Sequence, residues 1–438
     1  MEKEKHMYNF QTASFILIGS FLVLLILRVP ITFTLFASSV VTAVYLKIPL
    51  MSIVQRMVSG VNSFSLLAIP FFILSGEMMS RGGISRRLIA FSNALIGRVR
   101  GGLAQVNCLA SMFFGGISGS AVADVSSIGT MLIPMMKQKG YDDDFSVGVT
   151  VTSACQGVII PPSHNMIIFT LAAGGGVSVG KMFMGGVLPG ITLGVALMII
   201  SYIIAVKRNY PKEKRFTFKE VLTVTKDAIL GLLTMVIIIG GVVSGVFTAT
   251  ESAAVACVYA FIITFFVYRE ISLKEFPVIL LNTLRTLAMV MSLIAAANAF
   301  GWLLAYLRIP AAVTSFLLGL SHNPVVLLLL INLMLLLLGC IMDMAPLIII
   351  TTPILYPVLV NGLHMDPVQF GIMLILNLSI GLCTPPVGSA LFVGCAVGKI
   401  SIEKAAKGML PFYLAMIAVL LLVTFVPAVS LTIPNMLH

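Results

Sequence analysis

Two tandem proline pairs are the residues in this sequence whose chemistry is most informative. Pro161-Pro162 lies in the run Gly157–Asn165, and Pro385-Pro386 lies in the run Gly381–Ser389. Each proline removes a backbone donor and clashes with the preceding turn, so a tandem pair stops a helix. The carbonyls freed before such a break can coordinate a cation, and the N-terminus of the following helix can face an anion.

Uncharged polar side chains accompany both breaks. Ser163 and Asn165 follow the first proline pair, Thr384 precedes the second, and Ser389 follows it. Their neutral oxygen atoms are ligands of the kind that hard cations such as Na⁺ accept. A kinked helix sealed by its neighbours is the alternative, and it is common where there is a single proline. Two matched tandem breaks with polar residues at both favour binding sites.

A second feature precedes each break. The run Phe113–Ala121 interrupts an apolar stretch with small and hydroxyl residues, and apolar character then resumes to Met136. Its counterpart is the run Leu338–Pro346, after which apolar character resumes to Val360. Each arm is too short to cross a bilayer comfortably, which favours a re-entrant hairpin over two spans. A helix-packing face of small residues is the alternative.

Four carboxylates occur in apolar surroundings, where a charge is costly and usually functional. Asp124 and Asp343 lie beside the predicted hairpin tips and are the better candidates for an ion site. Glu77 precedes a basic loop and is expected at the membrane interface. Glu251 lies in the run Thr248–Ser252, where capping of a helix N-terminus is the simpler role.

The elements that must position these residues are membrane helices. Of 438 residues, 59% are hydrophobic and 10% are charged, with a mean hydropathy of +1.09. Soluble domains carry about 25% charged residues, and apolar runs of about 20 residues recur along this chain. We therefore predict an all-α polytopic membrane protein.

Charge and reactive residues exclude several function classes. The net charge is +11, but the excess lies in short loops between apolar runs, where it sets orientation and does not indicate nucleic-acid binding. The six cysteines lie in apolar segments without a CxxC motif, and the five histidines form no metal-binding pair. Neither a nucleophilic triad nor a phosphate-binding loop is present, so we expect neither an enzyme nor an ATP-driven pump.

The two halves of the sequence match each other when the chain is aligned with itself at a shift of 223–224 residues. Gly157 and Pro161-Pro162 then align with Gly381 and Pro385-Pro386, which are the only two Pro-Pro pairs in the sequence. The one long polar break, Lys207–Lys226, divides the chain almost equally and is either a plain cytoplasmic loop or a joint between repeats. The matches in one register favour the joint and predict a duplication. Repeat 1 is expected at 1–206, with a hairpin at about 103–136 and a broken helix at about 145–173. A cytoplasmic connector is expected at 207–226. Repeat 2 is expected at 227–438, with a hairpin at about 324–361 and a broken helix at about 368–397.

Basic residues orient the two halves. Ser80–Arg100 holds five arginines, whereas its repeat partner Leu303–Asn323 holds one, Arg308. The connector is rich in Lys and Arg, and Val426–His438 has neither. By the positive-inside rule, equivalent loops then lie on opposite sides of the membrane. Such inverted-topology repeats are typical of secondary transporters with sites near the bilayer midplane.

A family resemblance covers essentially the whole chain. The run Gly115–Gly129, followed by Pro134 and Gly140-Tyr141, resembles the large membrane subunit of TRAP transporters, the DctM type. The other segments that carry the resemblance are Ile160–Ser163, Thr248–Ala254, Asp343 with Pro346, Pro353 and Pro357, and Gly381–Gly388.

The resemblance implies an elevator-type carrier in the bacterial inner membrane. Its hairpins and broken helices would move as a block against a scaffold, with Na⁺ as coupling ion and without another cofactor. The implied partners are a small four-helix membrane subunit, a periplasmic solute-binding protein and the lipid bilayer, with no nucleic acid. The implied substrates are small organic acids such as C4-dicarboxylates, sialic acid, and keto or sugar acids.

Together, the breaks, the tips and the resemblance predict two Na⁺ sites flanking a substrate anion. One ion is expected between the Ser118–Ala121 tip and the Gly157–Pro161 break, and a second between the Asp343–Pro346 tip and the Gly381–Thr384 break. The expected Na⁺ ligands are Ser118, Gly119, Ser120, Gly157, Pro161, Asp343, Pro346, Gly381, Thr384 and Pro385; the expected substrate contacts are Ala121, Ser163, Asn165, Gly388 and Ser389; and Asp124, Pro162 and Pro386 are expected to support the ion sites.

A self-sufficient carrier of di- or tricarboxylates is the alternative function. Such a carrier shares hairpins and repeats with the predicted architecture but works without a binding protein. Transport by this chain alone would distinguish the two.

Overall fold

The computed structural model describes residues 2–213, 216–321 and 323–436, and these residues form almost only helices. No strand occurs among them; one isolated backbone bridge joins Arg100 to Lys212. In chain order the α-helices are α1 Glu2–Ile26, α2 Ile31–Tyr45, α3 Leu50–Val61, α4 Ala68–Arg81, α5 Ile84–Ile96, α6 Gly102–Ser118, α7 Ala121–Asp124, α8 Thr130–Gln138, α9 Asp143–Gly157, α10 His164–Ala172, α11 Val179–Lys207, α12 Phe218–Val243, α13 Ala249–Ile262, α14 Phe276–Tyr306, α15 Ile309–Leu320, α16 Pro324–Gly339, α17 Met344–Tyr356, α18 Pro367–Leu382, α19 Ser389–Gly398, α20 Ile402–Phe425 and α21 Ala428–Met436.

Seven helical stretches in the described part of the chain are long and apolar enough to cross a membrane. Large apolar side chains are exposed around the molecule, for example Phe15, Ile26 and Phe316, as expected of surfaces that face lipid. The prediction of an all-α polytopic membrane protein is confirmed. The seven stretches are Phe64–Arg81, Val179–Lys207, Phe218–Val243, Ala249–Val267, Leu273–Tyr306, Met344–Gly362 and Ile402–Phe425.

Helices α6 to α10 contain the first set of predicted features. Helix α6 ends at Ser118, Gly119 adopts a left-handed φ of 61°, and α7 begins at Ala121. Residues 158–163 are non-helical between α9 and α10, and the Pro161-Pro162 bond there is cis. The helix therefore stops where the proline pair predicts.

Helices α16 to α19 contain the second set. Helix α16 ends at Gly339 and α17 begins at Met344, with Asp343 as its N-cap. Residues 383–388 are non-helical between α18 and α19, and the Pro385-Pro386 bond is cis. Each proline pair thus lies between a long helix that ends and a shorter helix that begins.

Three π-helical turns were not predicted from the sequence. Val125–Gly129 links α7 to α8, Pro357–Gly362 follows α17, and Ile263–Val267 follows α13. The first follows the turn at Gly119 by a few residues and the second lies at the far end of α17, so the two do not occupy equivalent positions in the two halves. Because π turns insert an extra residue into the backbone ladder, they rotate the side chains that follow them, and they are frequent at functional sites.

Helices α9 and α18 lie at the centre of the molecule. Every residue from Phe145 to Gly157 in α9 and from Val368 to Leu382 in α18 is buried. Buried amides join each to the preceding arm: Asn107 donates to the Thr150 hydroxyl at 2.6 Å, and Asn377 donates to the Asn332 side-chain oxygen at 2.9 Å. Buried hydrogen bonds of this kind fix the register of packed helices.

The short helix after each break packs on elements of the other half. Helix α10 packs against α17 and α18, where Phe169 meets Phe370 edge to face at 5.4 Å. Helix α19 packs against α8, α9 and the π turn between α7 and α8. At its end, the Gly398 carbonyl accepts a hydrogen bond from the Lys137 ammonium group. The two halves are therefore interleaved.

Ion pairs and hydrogen bonds form a polar network around Arg208, at the C-terminal end of α11. Arg208 pairs with Asp142 at 2.8 Å and Asp144 at 3.3 Å, and the Tyr210 hydroxyl donates to Asp142 at 2.7 Å. The hydrogen bond from Tyr210 and the charge of Arg208 hold the pKa of Asp142 below its usual range. These contacts join α9 to α11 and to the start of the connector.

Candidate functional site

A cavity of about 1090 Å³ lies between the two sets of features and the helices around them. One wall is formed by the ends of α6, α7, α10, α17 and α19, and the opposite wall by α2, α4 and α14. This volume is slightly above that of the largest typical small-molecule sites, which reach about 1,000 Å³. The residues on the first wall that the sequence predicted are Ser118, Ser120, Ala121, Asn165, Asp343, Pro346 and Ser389.

Four helical segments present their N-termini to this cavity. The first residues of the segments that begin at Ala121, His164, Met344 and Ser389 all line it. The first backbone N–H groups of a helix lack partners within the helix and carry partial positive charge, which favours an anion. The arrangement arises because the turn at Gly119, the turn before Met344 and the two proline breaks each start a new helix beside the cavity.

The first tip packs directly against the first proline break. A Cβ atom at Gly157 would lie 2.8 Å from the Gly115 Cα and 3.1 Å from the Ser111 carbonyl oxygen, so only glycine fits this approach. At the tip itself, a Cβ at Gly119 would lie 3.2 Å from the Pro162 carbonyl oxygen and 3.4 Å from the Ser163 Cα. Backbone oxygens of the break therefore lie beside the tip.

Two buried oxygens border this first junction without a partner in the described part of the chain. Asp124 is fully buried; its Oδ1 accepts a hydrogen bond from Ser111 at 3.1 Å, and its Oδ2 has none. The Ser163 hydroxyl is also fully buried and unpaired. A buried polar atom without a partner is costly, so both are available to a ligand at the junction.

The second tip packs against the second break in the same way. A Cβ at Gly381 would lie 2.5 Å from the Gly339 carbonyl carbon, and both residues follow Gly157 and Gly115 by 224 positions. The Val387 amide donates to the Cys340 carbonyl at 3.1 Å, and Ser389 donates to the Asp343 carboxylate at 3.3 Å. Asp343 is thereby held at the cavity wall.

Several predicted residues lie behind the wall instead of on it. The tip residue Gly119, the predicted residues of the two breaks and Gly388 do not line the cavity, although Val158 of the first break does. Thr384 donates its hydroxyl to the Ile380 carbonyl at 2.7 Å, and its own carbonyl accepts from the Gly388 amide. The predicted residues that are absent from the wall are Gly119, Asp124, Gly157, Pro161, Pro162, Ser163, Gly381, Thr384, Pro385, Pro386 and Gly388.

Sequence reasoning missed part of the cavity. Glu77 lines it, pairs with Arg81 at 2.9 Å and accepts a hydrogen bond from Asn282 at 3.3 Å. His164 and Thr286 line it as well. The partner Asn282 is 205 residues from Glu77, so no local pattern could place the carboxylate here. The only signal for Glu77 in the sequence was a carboxylate among apolar neighbours.

Charge is unevenly distributed around the cavity. The described residues that line it include the carboxylates Glu77 and Asp343 but neither a lysine nor an arginine. A carboxylate or an anionic ligand at this depth is stabilised only by an opposite charge or by oriented dipoles. The second wall contributes mostly apolar side chains, among them Phe33 and Met289.

Glu251 lies outside the site, as its simpler role predicted. Thr248 and Glu251 form a capping box at the start of α13: the Glu251 carboxylate accepts from the Thr248 amide at 2.8 Å. The capping prediction is confirmed.

Comparisons with known proteins agree with this architecture. The family described as the tripartite ATP-independent periplasmic transporter, DctM component, matches residues 18–429. The chain is 42% identical to the C4-dicarboxylate TRAP transporter large permease protein DctM of Pseudomonas aeruginosa, over 85% of this chain and 87% of that one. It is 41% identical to the sialic acid TRAP transporter large permease protein SiaM of Vibrio cholerae, over 87% and 89%.

A solved structure shares the fold at low sequence identity. The Alcanivorax borkumensis YdaH transporter superposes with a TM-score of 0.62 at 14% identity, covering 87% of this chain and 88% of that one. The likeness concerns the arrangement of helices.

Proposed function

The chain belongs to the DctM component family of the tripartite ATP-independent periplasmic transporters, and we propose that it performs Na⁺-coupled uptake of a small organic acid anion. It is a multi-pass protein of the bacterial inner membrane, a permease and not an enzyme. The large component of a tripartite system works with two other components. We propose that these are a small four-helix membrane subunit and a periplasmic binding protein that delivers the substrate.

The observation that carries the proposal is the charge pattern of the cavity. Four helix N-termini face it, which favours an anion, yet Asp343 lies on its wall and no basic side chain does among the described residues. A substrate carboxylate beside Asp343 would be repelled unless a cation lay between or behind them. Na⁺ bound first would remove that repulsion, so substrate and ion would bind together.

Two ion positions follow from the packing of tip on break. At the first, the Pro162 carbonyl, the Ser163 hydroxyl and the unpaired Asp124 oxygen border the glycine contact. At the second, Asp343 and the backbone around Gly339 and Gly381 do so. The ligands are mostly neutral oxygens, which suits a monovalent hard cation. We propose Ser163 as an ion ligand more than as a substrate contact, because it does not line the cavity.

The substrate would then lie among Ser120, Ala121, Asn165 and Ser389, between the two ions. The curated relatives are named for C4-dicarboxylates and sialic acid, and a further relative is named for 2,3-diketo-L-gulonate. We propose that the substrate of this chain is an organic acid of the same class, selected by the binding protein.

We propose an elevator motion for the transport step. The cavity separates one group of helices, α6 to α10 and α16 to α19, from α2, α4 and α14. The reciprocal packing of α10 on α17 and α18, and of α19 on α8 and α9, supports moving the first group as one body. It also supports the inverted repeats, since each short helix reaches the hairpin of the other half.

Reconstitution in liposomes tests the function. The chain is inserted with its small subunit, its binding protein is added with radiolabelled succinate, sialic acid or 2,3-diketogulonate, and an inward Na⁺ or K⁺ gradient is imposed. We expect uptake of one acid only when Na⁺ and the binding protein are both present. Equal uptake with K⁺ would refute the coupling, and robust uptake by the chain alone would identify a self-sufficient carrier.

A further inference from the structure

A basic pocket lies at the end of α11, outside the transport cavity. Its volume is about 450 Å³. The pocket combines three cationic side chains with an apolar rim, and the residues that line it are Arg98, Val99, Arg100, Tyr202, Val206 and Lys212. None of these residues has a role in the function proposed above.

Backbone hydrogen bonds hold the pocket together. The Gly101 amide donates to the Pro211 carbonyl at 3.0 Å, and the Glu213 amide donates to the Gly97 carbonyl at 3.3 Å. Between these bonds, Arg100 and Lys212 form the isolated backbone bridge. The segment before α6 and the segment after α11 are therefore fixed side by side, although they are distant in sequence. The backbones that carry these three cations cannot move apart without breaking these bonds.

The positive charge of the pocket is uncompensated in the described part of the chain. No carboxylate there pairs with Arg98, Arg100 or Lys212, and Arg100 donates only to the Asn209 side-chain oxygen, at 3.4 Å. The acidic residue of the segment, Glu213, turns inward: its side chain is 11% exposed and pairs with Lys139 at 3.4 Å. Like charges held this close favour binding of an anion.

An apolar stripe on α11 runs away from the pocket. Its members recur every three or four residues, so they share one face of the helix. All are more than 40% exposed, and they are Ile191, Val195, Ile199, Tyr202 and Val206. From Ile191 to Tyr202 the helix rises about 16 Å, and one leaflet of the hydrocarbon core is about 15 Å thick. The stripe is therefore about as long as one leaflet is thick.

The pocket lies where a membrane span ends. Helix α11 qualifies as a span and finishes at Lys207, and Tyr202 lies one turn before that end, at the depth where aromatic residues meet lipid headgroups. The sequence assigns this end to the cytoplasmic side, where anionic lipids bind basic pockets beside membrane helices.

The geometry points to a binding site for an anionic phospholipid. The phosphate lies among Arg98, Arg100 and Lys212, and an acyl chain lies along the α11 stripe from Tyr202 to Ile191. A free phosphate ion would use the same three cations but not the stripe. The lipid would bind the group of helices that is proposed to move, since α11 packs on α6, α9, α18 and α20.

Native mass spectrometry of the full chain, purified with any small subunit that accompanies it, tests the assignment. Phosphatidylglycerol and phosphatidylethanolamine are titrated onto the wild type, onto the triple variant R98Q/R100Q/K212Q and onto the matched control K219Q/K226Q/K274Q, whose lysines are exposed elsewhere. We expect the triple variant to lose at least about tenfold in phosphatidylglycerol affinity, and the control to retain it. Phosphatidylethanolamine, whose ammonium group offsets its phosphate charge, should bind the wild type more weakly and lose less affinity in the triple variant.

Two further arms separate a lipid from a free anion. Inorganic phosphate at millimolar concentration should fail to displace phosphatidylglycerol, and the variant I199S/Y202S should weaken the lipid without folding defects in thermal unfolding. Unchanged phosphatidylglycerol binding by the triple variant, an equal loss in the lysine control, or full displacement by phosphate would each overturn the proposal.

Discussion

At the scale of single residues, two glycine pairs set how closely α6 approaches α9 and how closely α16 approaches α18. Gly157 lies against Gly115, and Gly381 lies against Gly339, with backbone touching backbone. These contacts bring the carbonyls of the breaks next to the tips. A side chain at either position would therefore separate the groups that we propose as ion ligands.

Alanine at Gly157 or at Gly381 tests this contact. We expect each variant to lose about 1–3 kcal/mol of stability, because the added methyl group meets backbone that cannot move aside, and to need more Na⁺ for uptake. Thermal unfolding followed with a thiol-reactive dye and uptake against Na⁺ concentration provide the measurements. Gly301→Ala is the control: nothing lies within 4 Å of its Cβ position, and alanine favours the helix. Normal Na⁺ dependence in both site variants would contradict the proposed ion positions.

Asp343 is the charged residue shared by the cavity wall and the second junction. We expect Asp343→Asn to raise the Na⁺ concentration for half-maximal uptake by at least about tenfold, since losing a bond to a charged group costs about 1.5 kcal/mol or more. Asp227→Asn, an exposed carboxylate, should leave it unchanged. An Asp343→Asn variant with lower maximal uptake but unaltered Na⁺ dependence would remove Asp343 from the ion site.

At the scale of helices, a cluster of charges ties α8 to α19 and α20. Lys137 pairs with Asp143 at 2.9 Å and donates to the Gly398 carbonyl, and Lys404 pairs with Asp143 at 3.4 Å. The hydrogen bond from Lys137 lowers the pKa of Asp143. The cluster joins the first predicted hairpin to the last helices of the other half.

The pH dependence of stability tests this tie. A carboxyl whose pKa is lowered by folding stabilises the folded state above its unfolded pKa of about 3.9 and loses that effect as the pH falls through its folded pKa. We expect Asp143→Asn to destabilise the protein by about 1 kcal/mol or less at pH 7, because the pair is partly exposed. The difference should shrink below pH 4. A difference that stayed constant from pH 7 to pH 3 would show that packing, and not the ion pair, is responsible.

The positions at which helices end or begin could be predicted from the sequence at the two proline breaks and at the capping box. A proline pair acts on its own backbone, so the breaks at 158–163 and 383–388 and the capping box at Thr248 followed from local chemistry. The π turns and the position of Glu77 did not, because they depend on contacts between segments far apart in the chain. The site was thus predictable as two tips and two breaks, but not as a cavity with an opposite wall.

At the scale of the whole molecule, the elevator proposal requires one group of helices to slide past another. Ser80 on α4 and Ser127 in the π turn before α8 face each other across that boundary, with their hydroxyl oxygens 2.5 Å apart. Within the proposed moving group, Ser153 on α9 donates to the native Cys108 on α6 at 3.2 Å. Side chains that face each other so closely are suitable for disulfide formation.

Cross-linking across and within the boundary tests the motion. The background retains Cys108 and lacks the other five cysteines. In it, oxidised S80C/S127C should lose uptake and recover it on reduction, because the bond fixes the two groups to each other. Oxidised S153C, bonded to Cys108, should keep uptake, since both residues move together. Full activity of oxidised S80C/S127C, with cross-linking verified by mass, would show that these groups do not slide. Loss in both variants would show that flexibility inside the group is needed, which contradicts a rigid moving body.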